Sequence, residues 1–210
     1  MPSKTASHTL FVQSLKKEWE MIQPLIEGKK IVSVYFGGGT PSLLGPKKIE
    51  EILSWMTTED EITLEANPDD VTLEKMSAFR KAGINRVSLG LQSLDNPLLK
   101  TLGRLHTAQK AVEAVHATSQ AGIKNITVDL MYEIPGQTLK IWQETLDQLQ
   151  PLPITHLSLY NLTFEPGAVF YKKQKQLSPL LPSPEESLNM LNAACVSLKK
   201  MGLHRYEISA

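Results

Sequence analysis

The stretch VYFGGGTPSLLG, Val34–Gly45, decides the fold prediction because it joins a short apolar run to a bare glycine backbone. The run IVSVYF at residues 31–36 is rich in β-branched and aromatic residues, which is typical of a β-strand. Gly37–Gly39 and Thr40 follow it directly. Because glycine has no Cβ, these residues either form a tight turn with positive φ or let a ligand approach the backbone. Three glycines before Thr-Pro favour ligand contact, and they match neither the phosphate loop nor the dinucleotide fingerprint.

Similar runs recur along the chain and alternate with segments of helical spacing. The further predicted strands cover residues 61–66, 86–91, 125–131 and 155–162, and RYEIS at 205–209 resembles the start of another. The predicted helices are Leu10–Ile26, Pro46–Met56, Thr72–Ala82, Thr107–Ala121, Thr138–Leu149 and Pro184–Met201. This alternation predicts an α/β fold built from βα units around a parallel sheet. The regular repeat favours a closed or partly closed barrel over a doubly wound sheet, although the pattern fits both.

Composition narrows the class of protein. The 210 residues predict one domain, with a proline-rich connector at residues 179–187. Twenty-two Lys and Arg balance 22 Asp and Glu, which argues against a nucleic-acid partner. No apolar run is long enough for a membrane span, and no signal peptide is predicted. Because Cys195 is the single cysteine, no disulfide can form within the chain, which favours a cytoplasmic protein. One cysteine also cannot build an iron–sulfur or zinc–thiolate site alone.

Polar residues collect at the carboxyl ends of the predicted strands. The glycines and Thr40 follow the first strand, and Glu65 lies near the end of the second. Gln92 follows the third strand, and Asp129 belongs to the fourth. Because parallel α/β folds bind their ligands at the carboxyl ends of the strands, we expect the site at this edge.

Each of these side chains has an alternative interpretation. Glu65 and Asp129 either form ordinary salt bridges or accept hydrogen bonds from a ribose diol, since a buried carboxylate is unfavourable unless it is bonded. Arg104 either neutralises one of them or holds a ligand carboxylate. No metal-ligand spacing connects the histidines, which we predict to be surface or core residues: His106, His116, His156 and His204. Cys195 is predicted to pack as a small hydrophobic residue.

Six motifs together indicate a family. They are FGGGTPSLL, EITLEANPDDVT, AGINRVSLGLQSLDNPLLKTLGRLH, ITVDLMYEIPGQT, HLSLYNLTFEPGAVFY and RYEIS. In this order and spacing the chain resembles the radical S-adenosylmethionine (SAM) proteins related to oxygen-independent coproporphyrinogen III oxidase. Within that group it is most similar to the HemW-type haem-chaperone branch. The resemblance extends from about residue 30 to the last residue.

The resemblance implies a fold and a set of site residues. The fold is a partial (β/α)6 radical-SAM-type barrel, here missing its first strand. The residues that match the glycine motif for the methionine part of SAM are Gly38, Gly39 and Thr40. The residues that match the further SAM-binding positions are Glu65, Gln92, Arg104 and Asp129. No catalytic residue and no metal ligand is predicted in this chain.

The chain departs from the family in its cysteines. The family binds a 4Fe–4S cluster through CxxxCxxC in the loop after the first barrel strand, whereas residues 1–30 contain no cysteine. We therefore expect residues 1–210 to form a single incomplete barrel domain. In this interpretation the first strand, the cluster loop and the C-terminal domain of the family are absent.

The resemblance also implies the chemistry. In the family, the reduced cluster cleaves SAM to a 5′-deoxyadenosyl radical, which in the oxidases abstracts hydrogen from propionate side chains before decarboxylation. The sequence thus predicts a protein of porphyrin or haem metabolism that performs no radical chemistry by itself, with haem or a porphyrinogen as partner. One alternative is a non-catalytic haem or SAM carrier. The other is an unrelated barrel enzyme whose glycines bind phosphate, but no Lys-Ser/Thr follows the glycines, which argues against it. A missing first strand would also expose the edge of strand 31–36 to another chain.

Overall fold

The computed structural model describes residues 4–57 and 60–207. Its sheet contains five parallel strands, each hydrogen-bonded only to its neighbours in sequence. The strands are β1 Ser33–Phe36, β2 Glu61–Ala66, β3 Arg86–Gln92, β4 Asn125–Tyr132 and β5 His156–Asn161. Each lies within a few residues of its predicted position.

The strand order settles the choice between the two parallel topologies. A doubly wound sheet reverses its order at a switch point. Here the order is β1-β2-β3-β4-β5 without reversal, as in a barrel, and β1 and β5 form the two edges of the described sheet. The prediction of an α/β partial barrel is therefore confirmed.

The helices follow the predicted alternation. The α-helices are α1 Lys4–Ile22, α2 Pro46–Leu53, α3 Leu73–Lys81, α4 Asn96–Thr101, α5 Ala108–Gln120, α6 Leu139–Leu149, α7 Val169–Lys172, α8 Gln174–Leu177 and α9 Pro184–Lys200. The 3₁₀ turns are Gln23–Ile26, Pro41–Leu44, Pro68–Asp70 and Ser178–Leu180. The first helix starts earlier and ends at Ile22 rather than Ile26, because Pro24 lacks the backbone N–H that would continue the α-helical pattern.

Side-chain caps fix several helix starts. Thr72, Thr107 and Thr138 each accept a hydrogen bond from the backbone N–H three residues further on. Ser183 and Glu186 form a complete capping box at the start of α9. Each cap fixes the residue at which the loop ends and the helix begins, and so helps to fix the position of the helix against the sheet.

The core lies between one face of the sheet and the helices. Ile62 and Leu64 of β2 are buried, and the alternate residues of β3 and β4 continue this apolar face. The buried helix residues that complete the core include Ile49, Met76, Phe79, Val115, Trp142 and Met190. The indole N–H of Trp142 donates to the carbonyl of Met190 at 2.8 Å, which joins α6 to α9.

The opposite, inner face of the sheet is polar. Thr63, Ser88 and Thr127 are buried there. At the amino-terminal end of this face, the Arg86 guanidinium binds Glu61 at 2.9 Å and Thr127 at 3.1 Å. Barrel interiors are usually filled with branched apolar side chains. The polar inner face of this sheet differs from that pattern.

The last described residues correct one prediction. Residues 205–207 form no strand, and Ile208 and Ser209 of the predicted strand lie outside the described residues. The Arg205 Nε donates to the carbonyl of Glu207 at 2.8 Å, a local bond that curls the segment instead of extending it. The Tyr206 hydroxyl nevertheless lies 2.8 Å from Nε2 of His156 on β5.

Across residues 4–57 and 60–207, every helix is too short or too polar to traverse a bilayer.

Candidate functional site

The three glycines after β1 serve different purposes. Gly38 has φ +102°, a left-handed conformation that side chains rarely adopt, so the tight-turn interpretation applies to this residue. A Cβ on Gly37 would lie 2.7 Å from Cε1 of Tyr35, so the exposed Tyr35 ring would have to shift to admit a side chain there. A Cβ on Gly39 would meet no described atom within 4 Å. Its backbone is open, as contact with a ligand requires.

Glu65 lies near the end of β2 with its carboxylate on the inner face. The Tyr35 hydroxyl donates to Oε1 of Glu65 at 2.7 Å. Ion pairs among the described residues lie elsewhere, at Lys30–Asp60, Lys75–Asp70, Arg86–Glu61 and Lys140–Glu144. The salt-bridge interpretation of Glu65 and Asp129 therefore fails within the described chain.

Asp129 faces the same space from β4. The Ser88 hydroxyl lies 3.2 Å from both of its carboxylate oxygens, and Ser158 forms a further hydrogen bond. Burial raises the pKa of Asp129, the negative charge of Glu65 raises it further, and the two serine bonds act in the opposite direction. Ser88 also lies opposite Glu65 in the β2–β3 register, so the two carboxylates share one region of the inner face.

A second cluster lies around Gly90 of β3. A Cβ on this glycine would lie 3.2 Å from Nε2 of Gln92 and 3.6 Å from both Arg104 Nη2 and Asn67 Oδ1. Because Gly90 has no side chain, three polar groups that lie at or after the ends of two different strands can lie next to it. Gln92 reaches this place because its φ of +65° turns the chain sharply, at the point where the β3–β4 register shifts. Strained backbone of this kind is common at functional sites.

Asn67 connects the loops after β1, β2 and β3. Its Nδ2 donates to the Thr40 hydroxyl at 3.3 Å, and its Oδ1 accepts from Nη1 of Arg104 at 3.2 Å. The residue belongs to the motif EANP, but the sequence alone did not indicate a role for it. Its place directly after the carboxyl end of β2 is the signal that could have identified it.

Arg104 binds this amide rather than a carboxylate. Burial lowers its pKa, and Asp129 and Asp69 act in the opposite direction. The guanidinium is held in the cluster with its charge facing the site. It therefore keeps the capacity to bind a ligand carboxylate.

His106, His116 and His204 are core or surface residues as predicted, whereas His156 is half-buried and lines a cleft between β5 and α9. His106 is buried with Nε2 3.1 Å from the carbonyl of Leu91, and burial lowers its pKa. His116 and His204 are exposed. Within residues 4–57 and 60–207, no group of three or more His, Cys, Asp or Glu side chains could hold a metal ion. Cys195 is only half-buried and lines a cleft between β5 and α9.

The fold and the site together define a class of protein. It is a partial parallel barrel with two carboxylates that belong to no ion pair of the described residues, an arginine and an open glycine backbone at the carboxyl ends of its strands. The family model described as the radical SAM superfamily matches residues 10–149. The chain belongs to the radical SAM superfamily.

The sequence relatives carry names from two groups. The chain is 36% identical over 213 residues to the mitochondrial radical S-adenosyl methionine domain-containing protein 1 of Danio rerio, covering 99% of this chain and 48% of that protein. It is 34% identical over 205 residues to the heme chaperone HemW of Lactococcus lactis, covering 95% and 53%. The chain spans about half the length of the curated relatives it matches.

A solved structure shares the fold. Coproporphyrinogen III oxidase (HemN) from Escherichia coli superimposes with a TM-score of 0.84 at 23% identity, over 95% of this chain and 47% of that chain. At this identity the match establishes the shared fold alone.

Proposed function

We propose that the inner face at the strand ends binds SAM. The residues that would hold it are Gly38, Gly39, Thr40, Glu65, Gln92, Arg104 and Asp129. The observation that carries the proposal is the pair of carboxylates, Glu65 and Asp129, which share a partly buried region. They form no ion pair among the described residues, and the positive charges of Arg104 and His156 act on Asp129 only from further away. Such a pair is unfavourable in the free protein and favours a ligand that supplies hydroxyl or ammonium donors.

The chemistry of SAM matches these groups. Its ribose hydroxyls and its ammonium can donate to Glu65 and Asp129, and its carboxylate can accept from Arg104 and Gln92. The open backbone at Gly39 gives the methionine part room to approach. Asn67 would hold Thr40 and Arg104 in place, since it is hydrogen-bonded to both.

The 4Fe–4S cluster of the family does not fit this chain. Such clusters are held by cysteine thiolates, and the sequence contains one cysteine, Cys195, on α9. In this superfamily, bound SAM supplies an adenosyl group for radical chemistry. The residues of this chain would bind and orient SAM, but they include no electron donor. We derive no radical step for this chain alone.

The wider proposal is a protein of porphyrin or haem metabolism, similar to coproporphyrinogen III oxidase and to HemW. It is supported by relatives named heme chaperone HemW and by the fold shared with HemN. We propose haem or a porphyrinogen as partner, no nucleic-acid partner and a cytoplasmic location. The outer edge of β1 has no strand partner in the described chain, which supports pairing of this edge with another chain.

A non-catalytic haem or SAM carrier is the second candidate. One observation favours haem carriage: a cleft of about 710 Å³ between β5 and α9 is lined by His156, Cys195 and Tyr206. Side chains of these types ligate haem iron in proteins. Titration with haemin should give a saturable absorbance change that His156→Ala reduces. An unsaturable change, equal in the variant, would reject this candidate.

Isothermal titration calorimetry with SAM tests the main proposal. We expect weak binding, because no cluster adds its own contact to SAM. The double variant Glu65→Gln, Asp129→Asn should lose at least about tenfold in affinity, since two charge-assisted hydrogen bonds disappear.

The matched control changes the same two residue types on the surface of α6. Glu144→Gln with Asp147→Asn alters the net charge equally but lies away from the site. It should bind SAM as the wild type does. Equal affinity in the site variant and the wild type would refute the assignment of these carboxylates.

A further inference from the structure

We infer that Tyr35 is a positioning residue of this site: its hydroxyl fixes the Glu65 carboxylate in the orientation that meets the ligand. The inference rests on the proposed SAM site and adds a residue that the family motifs do not include. Its role is to act through Glu65 rather than to contact the reacting atoms.

The geometry of the pair is specific. Tyr35 lies on β1 opposite Thr63, so its ring reaches diagonally across to Glu65, two residues further along β2. The hydroxyl lies 2.7 Å from Oε1, a short hydrogen bond of the kind that a phenol makes to a carboxylate. Tyr35 is 59% exposed, so packing in a core does not explain a large aromatic residue at this place.

Gly37 contributes to the same Tyr35–Glu65 arrangement. A Cβ there would lie 2.7 Å from the Tyr35 ring and 3.2 Å from Oε1 of Glu65. Any side chain at this position would displace the ring, the carboxylate or both. The first glycine of the run thus preserves the Tyr35–Glu65 bond, whereas Gly39 leaves open space next to the loop.

The bond has two consequences for ligand binding. A carboxylate has about four lone-pair sites, so after one bond from Tyr35 the other oxygen and part of Oε1 remain free for a diol or an ammonium. A free glutamate side chain rotates about several bonds, and binding must restrict them. Because Tyr35 restricts them beforehand, less entropy is lost when the ligand binds.

The electrostatics agree with this arrangement. Burial raises the pKa of Tyr35, and its hydrogen bond to Glu65 and the negative charge of that carboxylate raise it further. Asp129 and Tyr160 act in the same direction. The phenol therefore keeps its proton and remains a donor to Glu65.

The first experiment measures SAM affinity by calorimetry in Tyr35→Phe, which removes one oxygen atom and keeps the ring. We expect a loss of about tenfold, the usual effect of a hydrogen bond to a charged group. Tyr171→Phe is the matched control, because Tyr171 is also exposed but lies in α7 and is not among the residues proposed to hold SAM. It should bind as the wild type does, and an unchanged affinity in Tyr35→Phe would overturn the inference.

A double-mutant cycle shows whether Tyr35 acts through Glu65. In the Glu65→Gln background, Tyr35→Phe should cost little further affinity, because the carboxylate that it orients is gone. An equal loss in both backgrounds would mean that the phenol contacts the ligand itself, and the positioning role would be rejected.

A second readout does not depend on SAM. In absorbance titrations, the tyrosine ionisation step that Tyr35→Phe removes should lie at a higher pH than that of an ordinary tyrosine, because burial and the Glu65 carboxylate raise the pKa of Tyr35. Glu65→Gln should move this step to lower pH. If wild type does not bind SAM, the proposed function fails, and this titration still tests the pair: an unmoved step in Glu65→Gln would reject it.

Discussion

Asp129 is unfavourable for the folded protein at neutral pH. Its raised pKa means that the folded state holds a proton more tightly than the unfolded state does, so this residue lowers stability as the pH rises through that interval. Asp129→Asn should therefore increase the free energy of unfolding at pH 7 by on the order of 1 kcal/mol. Urea unfolding measures this difference.

The pH dependence provides the check on that prediction. Below the unfolded pKa of about 3.9, both states of the wild type carry a protonated Asp129, so the advantage of the variant should disappear. A variant that is less stable than the wild type at pH 7 would contradict the idea that burial of the charged carboxylate lowers stability. The same variant should bind SAM less well, so function and stability would change in opposite directions.

Glu133 adopts a left-handed backbone just after β4, with φ +61°. This conformation is unfavourable for a residue with a Cβ and natural for glycine. Glu133→Gly should therefore stabilise the protein by about 1 kcal/mol in urea unfolding. Glu144→Gly, in the middle of α6, is the opposite control and should destabilise it by about 1 kcal/mol. Loss of stability in both variants would disprove the assignment of strain to Glu133.

At the scale of the element, the N-cap of α6 links local sequence to the core. Thr138 accepts a hydrogen bond from the backbone N–H of Ile141 at 3.3 Å, and α6 carries the fully buried Trp142. Thr138→Ala should lower the free energy of unfolding by about 1 kcal/mol, because one N–H of the first turn loses its partner. Thr138→Ser keeps the hydroxyl and should stay close to the wild type in chemical unfolding. Equal losses in the two variants would exclude the capping bond as the cause.

Local sequence predicted most of the elements for physical reasons. The long helices and the β-branched strands carry strong periodicity, and the strand-end rule placed Glu65, Gln92 and Asp129 at one edge. The short helix α4, Asn96–Thr101, was missed because six residues give too little periodicity to recognise.

The contacts within the site were not predictable in the same way. Tyr35 and Asn67 gain their roles from partners about 30 residues or more away in sequence, at Glu65 and at Arg104. The sequence shows these residue types but not which atoms meet. The seven SAM-binding positions remain a prediction, because their assignment depends on a ligand.

At the scale of the whole molecule, the cysteine content gives the clearest test. Anaerobic reconstitution with iron and sulfide should leave this chain well below four irons per molecule, because one thiolate cannot hold a cluster. Cys195→Ser should retain the same low iron content. Stoichiometric binding of a four-iron cluster that the variant loses would show that the chain assembles clusters between copies, contrary to the prediction.

The unreversed strand order also has a consequence for how the chain folds. In the described sheet, every strand pairs with its neighbour in sequence. When a new strand joins the sheet, only the one segment that connects it to the preceding strand has to be closed. Folding of this kind avoids closing loops that span several βα units, and each parallel pairing closes one βα connection. The sheet can therefore grow strand by strand as the chain is synthesised, and Asp129 gains both of its serine partners only when Ser158 of β5 joins Ser88 of β3.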